Sequence, residues 1–488
     1  MLTGIKSLPL LPIVLFLVPA TCFAQLDFSS YLQHQGKATD VVRILSEYVQ
    51  HPSESGNERS AGEFLRELCR ENGLHITQMG DENGNFNFAA SIRPLDQNLP
   101  NIVFLNHIDV VPPGDTTAWT HPPFCGKITD TEVWGRGAFD NKGAGVMQLA
   151  GILAILKQYE HTDVPYNVTF LAVSCEETQC EGGARYVVKH HLDRLNPAVV
   201  IGEGPPALRG VLQRFPERDI FGISVAHKRA LWIKLESKIH TSGHGSITPV
   251  TYSNKEMVRS LHRLLRRRQP AIFTDLNVDI LRQLGSLERG VTGFVLKHPR
   301  LFRGLIVPKL RKQPEIFALF SNTITLTDLD NHNGVVNVVP GATTALLDCR
   351  LLPHASSEKF LARLRRKLKN DSIKLTVIKE MPEMDPSTEH TVFYRLLKAT
   401  ILERYPDSHV SKIFVPNFSD DGIFRSHGIP AYSSIPVKID RSYLEHLHNV
   451  DERIPIAILA EGSAAYATFV TKCMEEAMAG EVQLAGNR

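Results

Sequence analysis

The run Asn101-Ile102-Val103-Phe104-Leu105-Asn106-His107-Ile108-Asp109 decides the fold. Its first half is short, almost wholly apolar and rich in β-branched and aromatic residues, the pattern of a strand buried on both faces. Its second half turns at once to Asn, His and Asp. The same grammar returns twice downstream: residues 167–173 run into Glu176 and Glu177, and residues 198–201 run into Glu203. Stretches with helical spacing separate these runs, so the expected class is α/β. In open α/β sheets ligands gather at the carboxyl ends of the strands, which makes the polar residues behind each run site candidates.

Working outward, residues 41–49 and 61–74 carry apolar side chains at helical spacing. From about Asp219 the texture changes to strand-like alternation over residues 223–239. A helix follows with Met257, Leu261, Leu264 and Leu265 on one face and Arg263, Arg266, Arg267 and Arg268 elsewhere, which reads as a solvated basic face. Strand signals return at residues 323–326 and 345–347, and from Glu358 a helix leads back into α/β texture. The expected organisation is a leader over 1–24, a catalytic domain split into 25–218 and 356–488, and an inserted domain over 219–355.

Of the 488 residues, 43% are hydrophobic and 22% charged, enough for a globular chain with two domains. Basic and acidic residues number 54 and 52, so no net field draws the molecule to nucleic acid or an anionic membrane. Lys6, the apolar run over 8–18 and the small-residue ending at Ala24 have the grammar of a cleaved secretory leader, implying an exported, periplasmic or secreted protein. The run is shorter than the about 20 residues an anchor needs and is broken by Pro9 and Pro12. Pro19, Ala20 and Thr21 make a poor lipidation context for Cys22. The other cysteines form no Cys-x-x-Cys pair, which argues against a structural zinc knuckle; Cys175 and Cys180 are closest in sequence, with connectivity left open.

Five stretches hold metal-ligand residue types beside turn signals: His107-Ile108-Asp109, Gly135 through Gly143 with Asp140 inside it, Glu176-Glu177, Gly202-Glu203-Gly204, and His448-Asn449-Val450-Asp451-Glu452-Arg453. Strand alternation points His107 and Asp109 the same way, letting the carboxylate orient a metal-binding imidazole; a partly buried polar histidine is the plainer reading. Asp140 suits a bridge between two ions or an ordinary helix cap. Adjacent Glu176 and Glu177 after a buried strand repel each other unless a cation is present.

Together these stretches resemble the di-zinc metallopeptidase family of aminoacylases, carboxypeptidase G and succinyl-diaminopimelate desuccinylase, most closely its Gly-Xaa carboxypeptidase (carboxypeptidase S) and N-acyl-amino-acid hydrolase branch. The resemblance is carried by Asn106-His107-Ile108-Asp109-Val110-Val111-Pro112, by Trp119 with Pro122-Pro123-Phe124, and by Trp134-Gly135-Arg136-Gly137-Ala138-Phe139-Asp140-Asn141-Lys142-Gly143. It implies a three-layer α/β/α catalytic domain with an inserted α+β lid and dimerisation domain, the basic segment between Arg259 and Lys312 being a lengthened lid. It further implies two Zn2+ ions per subunit, held by His107, Asp140 (bridging), Glu177, Glu203 and His448, with Co2+ or Mn2+ fitting the same set. Glu176 falls at the general-base position and Asp109 behind His107. A cis bond is implied at Asp140-Asn141. In Gly243-His244-Gly245-Ser246, His244 falls at the oxyanion position, commonly reaching the partner subunit's site in a homodimer. Asn337 and Arg350 fall at the positions that meet the substrate carbonyl and carboxylate; a guanidinium matches a carboxylate bidentately.

Three departures stand out: Cys175 where the branch has aspartate, Ser419-Asp420-Asp421 where it has Thr-Asp, and His227-Lys228 where the lid motif begins with an acidic residue and lysine. None removes a ligand. The implied chemistry is hydrolysis of an amide bond next to a free carboxylate in a small peptide or N-acyl amino acid, by a water activated between two ions about 3.5 to 4 Å apart and deprotonated by Glu176. An aminopeptidase or dipeptidase on the same site, and a non-catalytic metal-binding member, are the competing readings. No Gly-x-Ser-x-Gly elbow is present.

Overall fold

The computed structural model describes residues 32–81, 84–240, 243–266, 268–331 and 335–486; the leader and Cys22 lie outside them. The three decisive strands form as expected, Asn101–His107, Asn167–Val173 and Pro197–Gly202, all mutually parallel and side by side. They occupy the middle of an eight-stranded mixed sheet. Across it the order is His409–Val415, Ile220–His227, Ala431–Ser433, Pro197–Gly202, Asn101–His107, Asn167–Val173, Phe88–Ser91 and His75–Gln78.

Alternation along these strands builds two cores. Ile102 and Phe104 face one side, with Val168, Phe170, Val199 and Ile201, against the helices Lys142–Gln158 and Ile456–Gly486. Val103 and Leu105 face the other side, with Leu171, Val173 and Val200, against the helix Ala184–Leu195. Three layers result, and fully buried strands explain why the runs are apolar on both faces.

A second, wholly antiparallel sheet is ordered Thr323–Asp330, Ala342–Leu351, Arg229–Lys238, Lys374–Glu380. The helices Ser253–Leu265 and Ser357–Leu368 cover one face of it through Met257, Leu261, Leu264, Phe360 and Leu364. Four further helices, Asp275–Leu287, Gly290–Lys297, Arg303–Leu310 and Pro314–Ala318, build the basic insert around Leu281, Ile306, Leu310 and Phe320.

The strand pairings shift the expected domain limits. Ile220–His227, expected in the insert, pairs with His409–Val415 in the large sheet, and the chain changes sheets at Lys228. Lys374–Glu380, expected in the catalytic domain, pairs with Arg229–Lys238. The crossing is clamped by buried basic side chains: Lys228 Nζ donates to Ala318 O, Ser321 O and Thr323 Oγ1, and Arg229 donates to Met381 O and Ala355 O.

Candidate metal centre

Because the three central strands are parallel, the residues behind their carboxyl ends meet at one edge. His107 closes its strand with Nδ1 2.8 Å from the backbone carbonyl of Asp109. A carbonyl only accepts, so Nδ1 carries a proton, which leaves Nε2 as the nitrogen that would ligate a cation. Nε2 lies 3.2 Å from Asp140 Oδ1 and 3.1 Å from Glu203 Oε2. The other oxygen of Asp140, Oδ2, lies 3.3 Å from His448 Nε2, which is also 3.3 Å from Glu177 Oε1. Two donor groups thus share one carboxylate: His107, Asp140, Glu203 and Asp140, Glu177, His448.

Asp140 is not a helix cap. The cap of Lys142–Gln158 is Asn141, and the Asp140-Asn141 bond is cis, as the resemblance implies. The backbone N–H groups of Phe139 and Asp140 donate to Glu452 Oε1, whose other oxygen pairs with buried Arg136 at 2.5 Å. Arg136 also donates to Asn449 O. Glu452 therefore ties the turn that carries Asp140 to the turn that carries His448. Both Arg136 and Glu452 lie in the quoted motifs, but sequence reading assigned them no role, since their partnership spans more than three hundred residues. Gly145 shows how closely the helix approaches the strand end: a Cβ there would sit 2.6 Å from Asn106 Oδ1.

The Asp109 carboxylate faces the imidazole at ion-pair rather than hydrogen-bond range. Oδ1 is 3.6 Å from His107 Nδ1, and the backbone carbonyl takes that bond instead. The fully buried carboxylate accepts from Glu176 N at 2.9 Å, Glu177 N at 3.1 Å and Ser55 Oγ at 2.6 Å. Its task is to hold the backbone of the two glutamates. Glu58 supports the same loop by accepting from Cys175 N. Nothing in the sequence singles out Ser55 or Glu58. The loop is closed by a Cys175–Cys180 disulfide, which removes Cys175 as a candidate nucleophile; Cys69, Cys125, Cys349 and Cys473 are free thiols.

Glu176 is buried in a narrow cavity lined by Leu105, His107, Asn141, Glu203, Ser419 and Asp420. Burial, then the neighbouring Glu203, pushes its carboxyl well above the usual carboxylate range. Burial and Asp140 raise Glu203 to about 7. Asp420 is raised to about 8 by burial, and its Oδ2 has no hydrogen-bond partner among the described residues. Asp421 is different: Arg425 and Ser433 engage it. Asp140, although burial opposes ionisation, is held well below the usual range by His107 and His448.

The residues fit a pair of divalent cations. Asp140, Glu176, Glu177, Glu203 and Asp420 converge on two imidazoles, and the buried Glu177 Oε1 has only the His448 ring beside it, without hydrogen-bond geometry, among the described residues. Such crowded carboxylates are stabilised by cations, which also invert the local pKa pattern. Nitrogen and carboxylate donors without thiolate suit zinc, cobalt or manganese.

His244 is exposed and stands apart from this cluster. Its Nδ1 accepts from Ser246 N at 3.1 Å, so the ring proton sits on Nε2 as a free donor among the described residues. The strap around it runs beside Asn337: Gly245 N donates to Asn337 O, and His244 bridges Val338. Arg350 grips Asp348 through Nε and Nη2, leaving Nη1 unengaged among the described residues. Buried His227 donates from Nε2 to Ser419 O, joining the sheet crossing to the cavity wall.

The model of the peptidase family M20/M25/M40 matches residues 103–472. Probable carboxypeptidase S-like 2 of Dictyostelium discoideum is 27% identical over 378 residues, covering 76% of this chain and 71% of its own. N-fatty-acyl-amino acid synthase/hydrolase PM20D1 of Homo sapiens is 24% identical over 377 residues, covering 76% and 74%. Among solved structures, the M20 family metallo-carboxypeptidase Sso-CP2 from Sulfolobus solfataricus has the same fold, with a TM-score of 0.65 at 18% identity over 88% of this chain and 98% of that one.

Proposed function

The chain belongs to the peptidase family M20/M25/M40, hydrolases of C–N bonds, and from that premise we propose that it cleaves an amide bond next to a free carboxylate, in a short peptide or an N-acyl amino acid. The observation that carries this reading is Asp140, which gives one oxygen to each histidine group beside a buried Glu176. His107, Asp140 and Glu203 would hold one ion, and Asp140, Glu177 and His448 the other; zinc is the ion proposed. Ions held there would supply an activated water, its pKa lowered toward about 7, and a Lewis acid for the scissile carbonyl. Glu176 accepts the water proton and returns it to the leaving amine. Asp109 fixes the backbone from which Glu176 projects.

The free donors of Arg350 and His244 support the substrate half of the proposal. Arg350 retains Nη1 for a carboxylate, and His244 retains Nε2–H for an oxyanion. Because His244 is exposed and stands apart from the metal cluster of its own chain, we assign it to the site of a second copy in a homodimer. Export is supported by the disulfide, which needs an oxidising compartment. Among the described residues no helix is long and apolar enough to cross a membrane.

The test is Glu176→Ala in the metal-loaded protein, assayed on N-acyl amino acids, dipeptides and C-terminally amidated dipeptides. Turnover of the free-carboxylate substrates should fall by at least about a thousandfold with metal content unchanged. Undiminished turnover removes the mechanism. Equal cleavage of amidated and free dipeptides removes the carboxylate requirement.

A further inference from the structure

The basic insert carries a surface that hydrolysis does not use. Residues 289–314 contain seven Lys and Arg and no Asp or Glu, in a chain whose 54 basic and 52 acidic residues otherwise nearly cancel. The helices Gly290–Lys297 and Arg303–Leu310 each bury one side: Leu296 and Val295 on the first, Ile306 and Leu310 on the second. Their outer sides are apolar as well. Val291 and Phe294, one turn apart in the first helix, are 79% and 55% exposed, and Leu301, in the turn before the second helix, and Leu305, in its first turn, are 74% and 61% exposed. The Phe294 and Phe302 rings, 5.5 Å apart, join the two helices.

Single exposed apolar residues are ordinary; two pairs within residues 291–305, in a stretch of cations free of carboxylates, are not. Arg300 is paired with Asp275 at 2.7 Å, but no ion pair engages Lys297, Arg303 or Lys309 among the described residues. A second copy of this face would set like charges against one another across a two-fold axis. A nucleic acid would neutralise the cations and leave the leucines wet. An anionic bilayer interface answers both features, with headgroup phosphates meeting the cations and the acyl boundary taking the aliphatic side chains.

We propose that the exposed apolar and basic side chains of residues 290–310 dock peripherally on an anionic lipid surface, with Leu301 and Leu305 at the acyl boundary and Lys297, Arg303 and Lys309 on the headgroups. The test is co-sedimentation of the full mature chain with phosphatidylcholine vesicles, with and without phosphatidylglycerol. Partitioning should rise by about tenfold or more with the anionic lipid and fall with added salt. The double variant Leu301→Glu, Leu305→Glu and the triple variant Lys297→Gln, Arg303→Gln, Lys309→Gln should each lose about tenfold, with the thermal unfolding midpoint unchanged as the check on folding. Absent binding, or equal binding to neutral vesicles, overturns the proposal. So does self-association of the wild type that the leucine variant abolishes, which would assign the face to a second copy.

Discussion

Asp109→Asn separates what the carboxylate does from what its position beside His107 suggests. The side chain is fully buried and accepts three hydrogen bonds, from the backbone of Glu176 and Glu177 and from Ser55. An amide keeps the shape but replaces one acceptor with an NH2 donor. The less disruptive orientation places nitrogen opposite Glu176 N and keeps oxygen for Glu177 and Ser55. One charge-assisted bond is lost and one buried N–H is left facing a donor, together about 3 kcal/mol. A displacement of Glu176 by about 1 Å costs on the order of a hundredfold in rate. Urea unfolding of the metal-loaded proteins measures the first figure and kcat the second, while hydrogen exchange at the Glu176 and Glu177 amides reports the cause. Those amides should exchange faster in the variant. If they stay as protected as in the wild type, with stability unchanged within about 0.5 kcal/mol, the backbone-holding role is refuted; slower metal uptake alone would return Asp109 to orienting His107.

Two further outcomes follow from the loop and the sheet crossing. Replacing Cys175 and Cys180 together by serine opens a loop of sequence separation 5; loop-closure entropy puts the loss near 2 kcal/mol, and the midpoint of chemical unfolding and kcat should both fall, as they should in the wild type under a dithiol reductant. An unchanged kcat would show that Asp109 and Glu58 hold the glutamates unaided. Burial lowers Lys228 to about 7, against about 10.4 in an unfolded chain, so the unfolded state binds more protons between pH 7 and 10 and stability rises with pH across that window. Lys228→Met should flatten that rise by up to about 1.4 kcal/mol per pH unit, leaving the share of Lys142, also lowered to about 7. An unaltered slope in urea unfolding at pH 7 to 10 contradicts the burial argument.

The layer architecture was legible because residues 101–105 and 167–173 are apolar on both faces, which only a covered parallel strand requires. The donor residues were legible because each follows such a strand or sits in a glycine-rich turn. The limits of the insert were not. Alternation over residues 223–239 looks continuous, yet Ile220–His227 and Arg229–Lys238 belong to different sheets, and nothing local announces which partner a strand will take. The same holds for Lys374–Glu380, whose clean alternation fits either sheet. Period-2 geometry correctly places Asp109 on the side of His107 but does not say that a backbone carbonyl satisfies the ring nitrogen first. Glu452 and Arg136 lay in view without a role, since sequence spacing carries no information about a pair so far apart.

The tie between Glu452 and the Asp140 turn also sets an order of events in time. Translation delivers His107, Asp140, Glu176, Glu177 and Glu203 well before His448 and Glu452. Until that late segment docks, the Asp140 backbone lacks its acceptor and the second donor group lacks its histidine. The paired donor groups are therefore complete only once the carboxyl-terminal segment has docked, and loading of both ions follows the folding of the last part of the chain.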